Sequence, residues 1–157
     1  MGTEFKPSIE QQMLFRVPTA RAFAAFIDPS ITTKFWFSHS DGPLVEGKTV
    51  TWEWRPYRHS VAVNVVSIEP DKRIIIRWGD EIKNSIVEWN FEPRGDDATL
   101  VTVSNSDFAG FSADQLVPVA IDSMGGFSLV LANAKAYLEH GIQLNLIFDK
   151  APDAIKN

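Results

Sequence analysis

Groups able to do chemistry are few and scattered along this chain, while its aromatic rings are concentrated. His39, His59 and His140 share no metal-ligand spacing, and without cysteine no thiolate site or disulfide can form. His39 and Asp41 stand two apart in the polar stretch 39–47, a spacing that could orient a metal or relay a proton. A solvated loop is the favoured reading of that pair. His140 precedes Gly141, a good helix stop, and is well placed against a helix C-terminal dipole. His59 falls near a hairpin bend. Glu53 and Asp122 join His39 and Asp41 as the four candidates for a general acid or base, and no periodicity places any of them inside. The sequence holds no Rossmann or phosphate-binding glycine loop, no G-x-S-x-G elbow and no H-E-x-x-H pair. No catalytic residue, metal or cofactor is expected.

The rings carry the signal. Four of the five tryptophans, Trp52, Trp54, Trp78 and Trp89, lie in segments of period two between Gly47 and Phe108. Val50, Trp52 and Trp54 share one face, as do Ile74, Ile76 and Trp78, then Val87, Trp89 and Phe91, then Val101, Val103 and Asn105. Indoles give flat apolar walls and an N–H that wants a partner when buried, the combination that ligand pockets use. Filling the space between sheet and helix is the favoured reading of these rings, and some can wall a pocket as well. Asn105, on an otherwise apolar face, is the preferred polar anchor, because a buried amide without a partner costs about 1–3 kcal/mol. Bonding within the protein is the favoured fate of that amide.

These side chains need elements to hold them. Ile9–Val17 reads as a first strand ended by Pro18, with Thr19 as N-cap of a short helix through Ala22, Phe23, Phe26 and Ile27. Asp28-Pro29 breaks that helix, and a second short one is expected over Ile31–Trp36. Five strands follow. In Val61–Ile68 both faces are mostly apolar, so the inner side stays open; GDE (79–81) and RGDD (94–97) read as hairpin turns. Ala120, Met124, Phe127, Leu131, Ala134 and Leu138 then recur at helical spacing as one face of a long helix. Pro118 is expected near its start, since an interior proline costs about 3 kcal/mol. Gly125-Gly126 is read as a point of close packing. The apolar run LNLIF (144–148) precedes a polar end.

A chain of this length fits one domain, 1–157, with a core of about 9–141. The net charge of −5, with 15 dispersed basic residues, argues against nucleic acid. No apolar run is read as long enough to cross a bilayer, and MGTEFKPSIE shows no apolar signal core, so a cytoplasmic protein is expected.

The order of strand, two short helices, five strands and long helix is that of the helix-grip, or START-like (SRPBCC), α+β fold. RVPTARAF (16–23), FIDPSITTKFW (26–36), VEGKTVTWEW (45–54), IEPDKRIIIRW (68–78), VEWNFEP (87–93), ATLVTVSNSDF (98–108) and GGFSLVLANAKAYLEHG (125–141) resemble successive blocks of one family. It is the family similar to the C-terminal domain of the heat-shock-chaperone ATPase activator, matched over roughly residues 10 to 141. The resemblance implies an antiparallel sheet of about six strands around the helix, and a pocket between them for a small, largely apolar molecule. The family commonly has Gly-Trp where this chain has Gly126-Phe127, and often His-Ser-Gly where it has Asn105-Ser106-Asp107. Phe127 keeps an aromatic plug. Asn105 removes an imidazole, so no acid–base role is expected there.

Three functions are weighed in order. The first is a module binding a small apolar or aromatic molecule through Trp52, Trp54, Ile76, Trp78, Val87, Trp89, Phe91, Val103, Asn105, Met124, Phe127 and Leu131. The second is an enzyme of cyclase, dehydratase or hydrolase type using the same cavity. The third is a chaperone co-factor, suggested by the family's name alone.

Overall fold

Residues 5–156 are described by a computed structural model, so the first four positions of the N-terminal stretch considered above lie outside it. Seven strands form one antiparallel sheet in the order β1-β7-β6-β5-β4-β3-β2. They are β1 (Ile9–Phe15), β2 (His39–Ser40), β3 (Thr49–Trp54), β4 (His59–Glu69), β5 (Arg73–Gly79), β6 (Asn84–Pro93) and β7 (Thr99–Ala109). Helices α1 (Thr19–Ile27) and α2 (Pro29–Thr32) follow β1; α3 (Ala113–His140) and the single turn α4 (Leu146–Asp149) follow β7. This is the α+β helix-grip architecture, with one strand more than expected because His39–Ser40 pairs with Trp52–Glu53.

Alternation decides which side chains turn inward. Val50, Trp52 and Trp54 on β3, Ile74 and Ile76 on β5, and Val87, Trp89 and Phe91 on β6 are buried, with Val101, Val103 and Asn105 on β7. The open question on β4 has a local cause. A register shift between Val65 and Ser67 inserts one residue, so the inner set passes from Val63 and Val65 to Ile68 while Val66 faces water.

Several boundaries differ from expectation. Pro18, not Thr19, is the N-cap of α1, and the Thr19 hydroxyl instead meets Thr99 Oγ1 at 3.1 Å. Helix α2 begins two residues early, because Pro29 suits a first helical position and Asp28 Oδ1 accepts the Ser30 N–H at 2.9 Å. Helix α3 starts at Ala113, where Gln115 Oε1 accepts the Ser112 N–H at 2.9 Å, leaving Pro118 inside the second turn. The proline is tolerated because one buried face of α3 is held by the sheet. Its 28 residues are also long and apolar enough to cross a membrane by composition, a length that the reading of apolar runs understated. Ala120, Phe127, Val130, Leu131, Asn133, Ala134 and Leu138 are the positions it buries.

The expected stripe is buried except at one position. Met124 is 42% exposed, and the inward position at that level of α3 belongs to Ser123. Helical rise, rather than hydrophobicity, selects which of the two faces the sheet.

Candidate functional site

The centre of the interior is Trp36, the one tryptophan outside the strand segments. Its ring lies 5.0 Å from Trp52, 6.2 Å from Trp54, 5.9 Å from Trp78, 6.0 Å from Trp89 and 5.7 Å from Phe127, all edge-on. Phe37 stacks on Trp52 at 4.5 Å. The segment after α2 therefore threads the aromatic cluster between sheet and α3, and Asn133 Nδ2 holds it there by donating to the Phe35 carbonyl at 2.9 Å. The sequence puts Trp36 at the end of a short helix and not among the interior rings; α2 ends at Thr32, and Trp36 lies in the irregular segment after it.

Beside this cluster lies a cavity of about 400 Å³. Trp36, Trp54, Trp78, Phe127 and Val130 supply apolar walls, and Phe108, Phe111 and Ile147 extend them. Gly126 also lines it, and a Cβ added there would meet nothing within 4 Å. The glycine keeps space open in place of the close packing expected of it. At the rim stand the exposed His59, Lys83 and Asp122. Lys83 is set there by the 80–83 turn, where Asp80 Oδ1 accepts the Ile82 and Lys83 N–H groups, bonds that hold its carboxyl below the usual range. Gly110 lets that turn lie close, since a Cβ at 110 would sit 1.8 Å from the Ile82 carbonyl oxygen.

Of the twelve residues expected at the site, Trp54, Trp78, Asn105 and Phe127 line this cavity. Trp52, Ile76, Val87, Trp89, Phe91, Val103 and Leu131 are buried core behind it, and Met124 faces away. The core reading of the rings and the wall reading thus divide the set between them.

One polar cluster lies at the deep end. Cross-strand register places Trp78 opposite Ser85 and Val87 opposite Asn105, so Trp78, Ser85 and Asn105 share the inner face of three neighbouring strands. Trp78 Nε1 donates to Ser85 Oγ at 3.1 Å. Asn105 Nδ2 donates to Ser85 Oγ at 2.9 Å and to the Ile86 carbonyl at 2.7 Å, while Ser123 Oγ donates to Asn105 Oδ1 at 2.7 Å. Ser85 was not singled out from sequence, yet the alternation Ser85, Val87, Trp89, Phe91 already put it on the inner face. The Trp89 Nε1 hydrogen, by contrast, has no partner among the described residues, and the Trp89 ring packs among those of Phe26, Trp36 and Phe127.

The acid–base candidates are dispersed. Asp41 Oδ1 accepts the Thr51 N–H at 2.8 Å, and His39 Nε2 lies 3.7 Å from Glu53, which also meets Arg55. His140 is exposed, 3.9 Å from Glu139. Of the four candidates His39, Asp41, Glu53 and Asp122, Asp122 alone borders the cavity, at its rim, where His59 also stands. No three His, Asp or Glu side chains among the described residues are grouped to hold a metal.

The family described as Activator of Hsp90 ATPase homolog 1-like protein matches residues 16–139, from the end of β1 to the last turn of α3. The chain belongs to this family. A Staphylococcus saprophyticus protein known from its crystal structure is 30% identical, with a TM-score of 0.74 over 88% of this chain and 96% of that one. The Aha1 dimer of Colwellia psychrerythraea, solved in solution, superposes with a TM-score of 0.72 at 14% identity over 86% of this chain and 98% of its own. An HSP90 activator from Plasmodium falciparum does so at 0.66 and 17% identity, over 85% and 96%. At such identities these last two share the fold of this activator-like chain. No curated protein matches the sequence significantly.

Proposed function

We propose that this protein binds a small, largely apolar molecule, aromatic or polycyclic, in the cavity between the sheet and α3. The observation that carries the proposal is the cavity itself: about 400 Å³, apolar-walled, with a hydrogen-bonded polar cluster at its deep end and its charged groups at the rim. Pockets that capture small ligands combine apolar walls with a few fixed polar groups in this way. Gly126 supports the reading, because glycine inside a helix costs about 1 kcal/mol relative to alanine and here leaves an empty wall.

A catalytic use of the same cavity would need an acid or base inside it, and the Asp122 carboxyl at the rim is the nearest of the four candidates considered. The binding reading asks for no such group. Contact with a chaperone rests on the family relationship, and no residue described here favours it over binding.

Trp36, Trp54 and Trp78 line the cavity, so their fluorescence reports occupancy directly. Titration with fatty acids, flavonoids and polycyclic aromatic compounds should give saturable quenching or a spectral shift with at least one class. Emission unmoved by every class at concentrations up to solubility would sink the proposal.

A further inference from the structure

We infer that the ligand carries a neutral hydrogen-bond acceptor, a ketone or ester carbonyl, that takes the proton of the Ser85 hydroxyl at the deep end of the cavity. This deepens the binding proposal and rests on it. An indole nitrogen only donates and a main-chain carbonyl only accepts, so the two ends of the polar cluster fix the direction of every bond between them. The Ile86 carbonyl identifies the atom facing it as Asn105 nitrogen, and the second hydrogen of that nitrogen goes to Ser85 Oγ. Trp78 Nε1 supplies another hydrogen to the same oxygen.

A hydroxyl has two lone pairs and one proton. Both lone pairs of Ser85 Oγ are occupied, so its proton is what remains to be placed. None of the described groups accepts it in a hydrogen bond. Ser85 is 5% exposed and lines the cavity, which makes this O–H a fixed donor offered to whatever fills the space. Two incoming donors also draw electron density through the oxygen and strengthen the hydrogen bond it gives.

The acceptor must be neutral because the charged groups stand at the rim, where Lys83 and Asp122 remain exposed. A carboxylate pushed to the floor would lose its water with no cation beside it. A carbonyl accepts the Ser85 proton without bringing a proton of its own to be placed.

The test compares 9-fluorenone with fluorene, molecules of nearly equal shape that differ in one carbonyl. Fluorenone should bind more tightly by about tenfold or more, because fluorene strands the buried donor. The carbonyl stretch of bound fluorenone should also fall below its frequency in a hydrocarbon solvent. In Ser85→Cys, sulfur still faces the two donors but gives a far weaker hydrogen bond, so the ratio of the two affinities should drop toward one and the band should move back up. Equal affinity of the wild type for both compounds, or a bound band at the hydrocarbon position, overturns the inference while leaving the cavity a binding site. An undiminished preference in Ser85→Cys overturns the assignment to that hydroxyl. If neither compound binds, the inference falls, and the binding proposal falls with it only if fatty acids and flavonoids also leave the tryptophan emission unmoved.

Discussion

The Ser123 hydroxyl donates to Asn105 Oδ1 at 2.7 Å, and through that one bond α3 is fixed to β7 at the deep end of the cavity. Asn105 is 2% exposed, so its carbonyl is shielded from bulk solvent. Ser123→Ala should therefore cost about 1–3 kcal/mol, the range for stranding a buried acceptor. A urea midpoint equal to that of the wild type would show that the bond contributes nothing net.

Gly126 sets stability against binding. Gly126→Ala should stabilise the protein by up to about 1 kcal/mol, since helix propensity improves and the new methyl meets no neighbour. Gly126→Leu should occupy the cavity and abolish tryptophan quenching by ligands that the wild type binds. Retained quenching in the leucine variant would place the ligand elsewhere.

Trp36 organises the interior as well as walling the cavity. Its ring touches four other indoles and two phenyl rings, so Trp36→Ala should destabilise by about 3–5 kcal/mol, the range for large-to-small changes in a core. Trp36→Phe keeps part of the packing and should lie between. A loss in Trp36→Ala no larger than that of an exposed substitution would contradict the central position.

Tyr57 ties the C-terminal segment across one end of the cavity. Its hydroxyl donates to the Ile147 carbonyl at 2.8 Å and lies 3.3 Å from that of Phe148, while the Lys156 N–H meets the Pro56 carbonyl. Burial first, then the nearby Asp149 carboxylate, raises the phenol above its ordinary 10.0. With the folded value above the unfolded one, the tie is intact at neutral pH and is lost only as pH rises through the folded value. Tyr57→Phe should speed amide exchange at Asp149 and Lys150 with little effect on β6 and β7. Unchanged exchange at those amides would mean that Ile147 and Phe148 hold the segment by packing alone.

Glu139 gives the fold an acid-sensitive anchor. Burial by itself would raise its carboxyl, but the Arg16 N–H at 2.9 Å and the Lys135 ammonium at 2.6 Å outweigh it and hold the pKa below the ordinary 4.5. A folded value below the unfolded one means the contribution is full above pH 4.5 and disappears as pH falls through the folded value. Denaturant midpoints of the wild type and Glu139→Gln should therefore keep a constant separation above pH 4.5 and converge as pH falls below it through the folded value. Parallel curves would refute the anchor.

Much of the architecture was legible because strands with one wet face write their burial into alternate residues. Trp52, Trp89 and Val103 turned inward as their parity required, and Gly141 ended α3 in a left-handed conformation. Legibility failed where geometry departs from a fixed period. The extra residue near Val65 reverses parity along β4, and Met124 and Ser123 are adjacent residues that face different surroundings. Pro118 does lie near the start of α3, but inside its second turn, because packing offsets an intrinsic cost that the sequence alone leaves standing.

The order of amino acids alone determined an antiparallel sheet backed by a long helix, because periods of two and near 3.6 are properties of single segments. It also determined that the interior would be rich in indole. Which rings close the core and which wall the cavity was decided only by tertiary structure, since that depends on distances between segments far apart in the chain. Trp36 reaches the centre through the packing of α1, α2 and α3, and Ser85 becomes a directed donor only when Trp78 and Asn105 converge on its oxygen. A hydroxyl's free valence is set by its neighbours, and neighbours across a sheet are fixed by register rather than by position in the sequence.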